Sequence, residues 1–325
     1  MTLKHRSITA LVASLAFAAT TALAQTYPTK PVKLIVPFPP GGAVDVYART
    51  VQPALAENLG QTIVIENKTG ASGMIGADSV AKAAPDGYTV LVGNVATLAM
   101  NVGIYKKMTY SPVTDLAPVM QTVMVNYVLV VHPAVPAKDV AELVAYAKAN
   151  PGRLSYGSSG SGSAQHMAAE LFKAQTGADI THVPYKGTGA LVGDLIAGHV
   201  SMAIADQASM MPQVKAGKLR ALAVGGLRRS PDYPDIPTIA EAGKLPGFEA
   251  VAWQGIAVPA ATPPAIVKRL NEAFMKAHEA PGMKEKLVAA GLTPVGGTPE
   301  EFGRYIRSEI AKWSKVAKDI GATVD

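Results

Sequence analysis

Between Leu34 and Arg49 an apolar run, Leu34-Ile35-Val36, gives way to Pro39-Pro40-Gly41-Gly42 and then to a helical pattern. Gly41 and Gly42 permit a tight turn and keep side chains clear of the backbone. A glycine turn that feeds a helix leaves several N–H groups unpaired at the positive end of the helix dipole. Phosphate and carboxylate are drawn to such a point, so the first chemistry to consider is anion binding by backbone. Taken alone, the turn is equally well an ordinary strand-to-helix connection. Pro40 to Asp45 does not stand alone, however. Thr69 to Gly73, Gly93 to Thr97, Ser158 to Ser163, Tyr185 to Gly189, and Asp206 have the same small, polar character and also follow apolar, strand-like runs. In α/β sheets the ligand crevice lies beyond the carboxyl ends of the strands. The set of turns, rather than any member, predicts a binding site.

Catalytic readings of the same stretches are weaker. Gly157-Ser158-Ser159-Gly160-Ser161 misses the nucleophile-elbow pattern by one residue, since Ser161 stands where a glycine is required. An exported serine hydrolase using the Ser158–Ser163 loop is the alternative reading, and it needs His and Asp partners brought in by the fold. Gly160-Ser161-Gly162 followed by Gln165 is a near miss to a dinucleotide fingerprint, with Gln165 replacing the third small residue. No P-loop, zincin helix or paired metal-ligand spacing occurs, so neither metal nor cofactor is expected. The chain has no cysteine, which excludes disulfides, thiolate metal sites and a cysteine nucleophile. Asp206 suits accepting from a ligand donor, or capping the helix that follows it.

The elements that must position these turns follow from periodicity. Met1 to Ala24 carries a short basic region, an apolar core and a small-x-small ending at Ala24, the layout of a secretory leader cleaved there. The 325-residue chain is 49% hydrophobic and 17% charged, with 30 Gly and 24 Pro, as expected of a turn-rich globular protein. Basic residues number 30 against 24 acidic, and with few aromatics and no basic run the composition argues against nucleic acid. Val44, Ala48, Val51, Leu55 and Leu59 mark one face of the first helix. Strand-then-helix alternation continues to the end, which predicts parallel sheets covered by helices. Met120 to Val131 and Trp253 to Val258 read as long strands crossing between two α/β lobes. The lobes are 25–124 with 252–325, and 125–251.

These residues resemble a known family. Tyr27 to Gly42 with Asp45 and Ala48-Arg49, Glu66-Asn67 with Gly70 to Gly73, and Ala84 to Tyr88 are similar to Bug/TctC-type solute-binding proteins of tripartite tricarboxylate transporters. Ser158 to Ser163 with His166, Val183 to Gly187, and Pro234 to Thr238 continue the pattern. The resemblance implies a type II periplasmic binding-protein fold, two α/β lobes closing like a flytrap on a small carboxylate. It implies a first-lobe site made by Phe38, Gly42, Ala43, Val44, Asp45, Ser72, Gly73, Ala96 and Thr97. Ser158, Gly160, Ser163, His166, Tyr185 and Asp206 would face them. It further implies a periplasmic, non-enzymatic monomer that delivers a dicarboxylate, tricarboxylate or aromatic acid to a membrane transporter or a sensor.

Overall fold

The computed structural model describes residues 27–323; the leader and its cleavage point after Ala24 lie outside the described residues. The chain begins with β1 (Val32–Val36), α1 (Ala43–Leu59), β2 (Ile63–Asn67), α2 (Met74–Ala81) and β3 (Thr89–Asn94). A widened helical turn, Ala96–Met100, then runs into α3 (Asn101–Ile104). The long strand β4 (Leu116–Val131) leads to α4 (Val140–Ala149), β5 (Leu154–Ser158), α5 (Ala164–Thr176) and β6 (Ile180–Pro184). Next come α6 (Thr188–Ile196), β7 (Met202–Asp206), α7 (Gln207–Lys215), β8 (Arg220–Val224) and α8 (Ile239–Gly243). The chain returns through β9 (Val251–Pro259), α9 (Pro264–His278), α10 (Met283–Ala289), β10 (Leu292–Pro294) and α11 (Pro299–Ile320).

One strand, β4, pairs within both α/β lobes, and β9 carries the chain back from the second lobe to the first. Leu116 to Asn126 of β4 pairs with β9, whereas Tyr127 to Val131 pairs with β7 and with β8. β1, β2 and β3 are mutually parallel, and β3 meets β9 antiparallel; β5 lies parallel between β6 and β7. The sheet is therefore mixed rather than wholly parallel. The reason is connectivity, because a strand leaving one lobe and a strand returning to it run in opposite senses. The same pairing sets direction: β1 to β3 run along β4, and β7 with its neighbours runs against it. Carboxyl ends from the two lobes thus point toward each other near the middle of β4, where the sequence-predicted turns belong.

The anticipated apolar faces are buried. Val44, Ala48, Val51, Leu55 and Leu59 of α1 pack into the main core, as do Phe302, Ile306 and Trp313 of α11. The start of α11 carries the expected capping box, Thr298 and Glu301 each bonding the other's backbone N–H. A second, smaller core joins Val128, Val130, Leu191, Leu195, Ala203 and Met210. Behind the junction, Glu309 on α11 is 7% exposed and its Oε2 accepts from Trp253 Nε1 (2.8 Å) and Trp313 Nε1 (2.9 Å). Lys312 Nζ stands 3.5 Å from the same carboxylate and 3.0 Å from Glu249. Removing that acceptor strands two buried indole donors, at a cost on the order of 3 kcal/mol. Glu309→Ala should lower the melting temperature by several degrees in calorimetry, and Glu309→Gln, which keeps an acceptor oxygen, should recover most of the loss.

Candidate functional site

Five helices begin on the wall of one cavity of about 370 Å³. Their N-cap residues, Gly42 for α1, Gly73 for α2, Ser163 for α5, Gly187 for α6 and Asp206 for α7, all line it. Two of these caps satisfy their own helices. Ser163 Oγ accepts from His166 N (3.2 Å), and Asp206 Oδ1 accepts from Ser209 N (2.9 Å). Gly42, Gly73 and Gly187 have no side chain to do this, so the first-turn amides of α1, α2 and α6 have no side-chain cap. First-turn amides without a side-chain cap and positive dipole ends therefore face the cavity from both lobes, although in α2 the Met74 N–H already donates to Ala71 O.

Of the residues singled out in the sequence, Phe38, Gly42, Ala43, Val44, Ser72, Gly73, Ala96, Gly160, Ser163 and Asp206 are on the wall. Asp45, Thr97, Ser158, His166 and Tyr185 are not; they hold the wall from behind. Asp45 is 2% exposed, and its carboxylate accepts from Gly41 N (2.9 Å), Arg49 Nε (2.8 Å) and Asn67 Nδ2 (2.9 Å). Burial pushes its pKa up, but the bonds from Arg49, Gly41 and Asn67 outweigh that and hold it below the usual carboxylate range. The same Asn67 amide donates to Phe38 O (3.0 Å), so this group fixes the Phe38–Gly42 turn. Thr97 is fully buried, and its Oγ1 accepts from Asn94 N (3.0 Å). Tyr185 turns its hydroxyl outward to donate to Asp194 (2.9 Å).

The serine loop is braced by an aromatic stack. Ser158 Oγ lies 2.7 Å from His182 Nε2 and donates to Gly160 O (3.1 Å). His166 Nδ1 accepts from Gly162 N (3.1 Å), and its ring stacks on His182 at 4.2 Å. His182 in turn stacks on Tyr156, whose hydroxyl donates to Glu170. This arrangement weighs against the hydrolase alternative. The serine that meets a histidine, Ser158, is fully buried off the cavity wall.

Several wall residues were not foreseen. The floor is formed by Val125 and Tyr127 of β4 and by Ala252 and Gln254 of β9. Register places Val125 opposite Ala252 and Tyr127 opposite Asp206. Alternation along the two crossing strands was the available signal, but it does not say which face is inward. Gln165, read only as a fingerprint mismatch, ties three turns together. Its Oε1 accepts from Ser159 N (2.9 Å), and its Nε2 donates to Thr188 Oγ1 (2.9 Å) and Asp206 Oδ2 (3.5 Å). Lys186 brings an exposed positive charge to the rim. Across the mouth, Ser72 Oγ donates to Ser161 O (2.9 Å), linking the lobes directly. Ser72 has φ +50° and Ala71 φ +47°, left-handed values that L side chains rarely adopt, so this turn carries strain.

Two expectations follow from this geometry. Gly42 has an ordinary φ of −74°, and a Cβ there meets only Pro39 O at 3.5 Å. Gly42→Val should fold with little change in melting temperature, yet lose anion affinity by about tenfold or more in calorimetric titration, because its side chain blocks approach to the α1 amides. The second concerns acid. Burial, with the neighbouring His166 adding to it, pushes the His182 pKa from 6.5 down to about 4; burial lowers His166 as well, with Glu170 opposing and Lys173 reinforcing. A histidine kept neutral in the fold but protonated in the unfolded chain supplies stability that is complete above about pH 6.5 and is lost as pH falls toward 4. His278, also pushed down to about 4 by burial, titrates in the same window. Melting temperature should therefore be flat above pH 6.5 and fall below it. Ligand affinity should fall in parallel in His278→Asn, because protonating His166 Nδ1 ends its bond to Gly162.

Comparison with known proteins accords with this arrangement. The sequence model of TctC, described as the tripartite tricarboxylate transporter family receptor, matches residues 47–322. Protein BugT of Bordetella pertussis (strain Tohama I) is 39% identical over 300 residues, covering 92% of this chain and 92% of BugT. The structure of R. palustris Rpa4515 with adipate superposes with a TM-score of 0.85 at 41% identity, over 92% of this chain and 100% of that one. MatC from Rhodopseudomonas palustris with bound malate gives a TM-score of 0.82 at 33% identity, over 89% of this chain and 99% of that one. The two-lobed α/β architecture read from the sequence is the one these structures share. A family match spanning most of the described residues, together with the identity to BugT, means that this chain belongs to the tripartite tricarboxylate transporter family of receptors.

Proposed function

We propose that this protein is a periplasmic receptor that binds a small organic carboxylate and delivers it, unchanged, to tripartite tricarboxylate transporter subunits in the membrane or to a sensor. The observation that carries the reading is the convergence of five helix N-caps, three of them glycines that cannot cap their helices with a side chain, on a single cavity. The cavity volume falls in the range of small-molecule sites. Relatives with adipate and with malate support the same ligand class.

In this reading the leader is removed after Ala24 and the mature chain works as a monomer. Its first lobe is 25–124 with 252–325, and its second is 125–251. A carboxylate bound at the amides of α1 and α2 gains charge-assisted hydrogen bonds, each worth about 1.5–3 kcal/mol net. Contacts from α6 and the serine loop form only when the lobes meet, so the ligand shifts the population toward the closed form. Ser72 to Ser161 is one bond of that closed form. The membrane subunits would select the same form.

The test combines a melting-temperature screen with native mass spectrometry of the gently purified mature protein. Adipate, malate, citrate and terephthalate are the first probes. A true ligand at a hundred times its Kd adds about 2.7 kcal/mol of stability. At least one acid should raise the melting temperature, and NMR of the mixture should show it chemically unaltered. A protein that carries no acid and is stabilised by none of the panel would overturn the proposal, as would turnover of the bound acid.

A further inference from the structure

The cavity floor holds an anomaly that carboxylate capture by backbone does not explain. Gln254 is 1% exposed, it lines the cavity, and neither its Oε1 nor its Nε2 has a hydrogen-bond partner. Gln165, on the same wall and 4% exposed, has both amide ends bonded. A buried amide left unpaired loses its hydration without compensation, and in native proteins such a group calls for a partner that the chain itself does not supply.

Asn94 stands beside it. The antiparallel pairing of β3 with β9 sets Asn94 opposite Gln254, which places both side chains on one face of the sheet. Asn94 also lines the cavity. Its Oδ1 is taken by the amides of Ala96 (3.1 Å) and Thr97 (3.2 Å), so its NH₂ is what it has left to offer. Together the pair presents one acceptor and two NH₂ donors, all uncharged.

Ligand groups can be sorted against that pattern. An unsubstituted methylene chain satisfies none of it. A carboxylate or a keto oxygen takes the donors but leaves Gln254 Oε1 facing another acceptor. A hydroxyl both donates to Oε1 and accepts from an NH₂, while the other NH₂ remains for an oxygen of the adjoining carboxylate. We propose that Gln254, with Asn94 beside it, is the specificity-determining residue of the site, and that it selects a hydroxy-substituted carboxylic acid. The inference rests on the carboxylate-receptor reading and narrows it. Side-chain hydrogen bonding of this kind discriminates strongly, because an analogue without the hydroxyl leaves the buried amide unpaired again.

The test is calorimetric titration of the mature protein and of Gln254→Leu with matched pairs, malate against succinate and 2-hydroxyadipate against adipate, with aspartate as a third probe. The wild-type protein should prefer the hydroxy member of at least one pair by about tenfold or more. In Gln254→Leu that preference should shrink to about twofold while binding of the plain acid persists. Ligand-free Gln254→Leu should melt no lower than the wild type, since it removes a buried unpaired amide and keeps a similar volume. Equal binding within both pairs, or a preference that survives in Gln254→Leu, overturns the proposal. So does tighter binding of aspartate than of malate, which assigns Oε1 to an ammonium donor, and so does a Gln254→Leu protein that melts lower, which makes Gln254 a structural residue. Binding of no acid at all sinks the receptor reading itself, an outcome distinct from plain acids binding without preference.

Discussion

An α-helix cannot pair its own first N–H groups, and this structure depends on where those groups are left. Each strand of β1, β2, β5, β6 and β7 ends in a turn that starts a helix at the cavity. Because β1 to β3 run along β4 and β7 runs against it, the unpaired ends of both lobes aim at one place. The sheet could have been covered equally well with helix starts on opposite faces of the molecule. Opposed lobe directions, set by the sharing of a single strand, turn a packing requirement into a binding site.

Charge at the site is managed so that these amides remain available. The nearest buried carboxylate to the α1 cap, Asp45, is turned back onto Gly41, Arg49 and Asn67, and its charge is matched by the Arg49 guanidinium. Among the described residues of the wall, Asp206 is the only anion and Lys186 the only cation. Asp206 in turn is occupied with the start of α7 and with Gln165. In the proposed reading, backbone dipoles, rather than a fixed guanidinium, therefore supply the attraction for an anion. Such donors are already oriented by the fold and lose little side-chain entropy when a ligand arrives.

The parts of the site that depend on the backbone were readable from residue order. Gly41, Gly70, Gly73 and Gly160 are informative because each sits at a positive φ that favours glycine whatever surrounds it. The capping box at Thr298 and the buried face of α1 are local patterns of the same kind. Residues whose position depends on distant partners were harder. The family resemblance implied Asp45 as a ligand contact, yet Asn67, 22 residues away, turns it inward. Ser158 and His166 look outward in a serine-rich loop until β6 brings His182 against both. The floor was invisible for a further reason: alternation marks Val125, Tyr127, Ala252 and Gln254 as sharing a face, but the cavity side of that face is fixed only when β4 and β9 pair.

A division of labour follows from that difference. Amide donors at helix starts respond to negative charge and are much alike for any carboxylate, so they set the ligand class and discriminate poorly within it. Discrimination has to come from side chains that touch the rest of the ligand, and those project from the crossing strands. β4 and β9 contribute mostly apolar groups, Val125, Tyr127 and Ala252, which suit a carbon chain without favouring one acid over another. Gln254 is the exception on that surface, polar at both ends and bonded at neither. A scaffold that recognises charge with its backbone and identity with a strand residue can change ligand by substitution on the floor, leaving the helix starts and their glycine caps as they are.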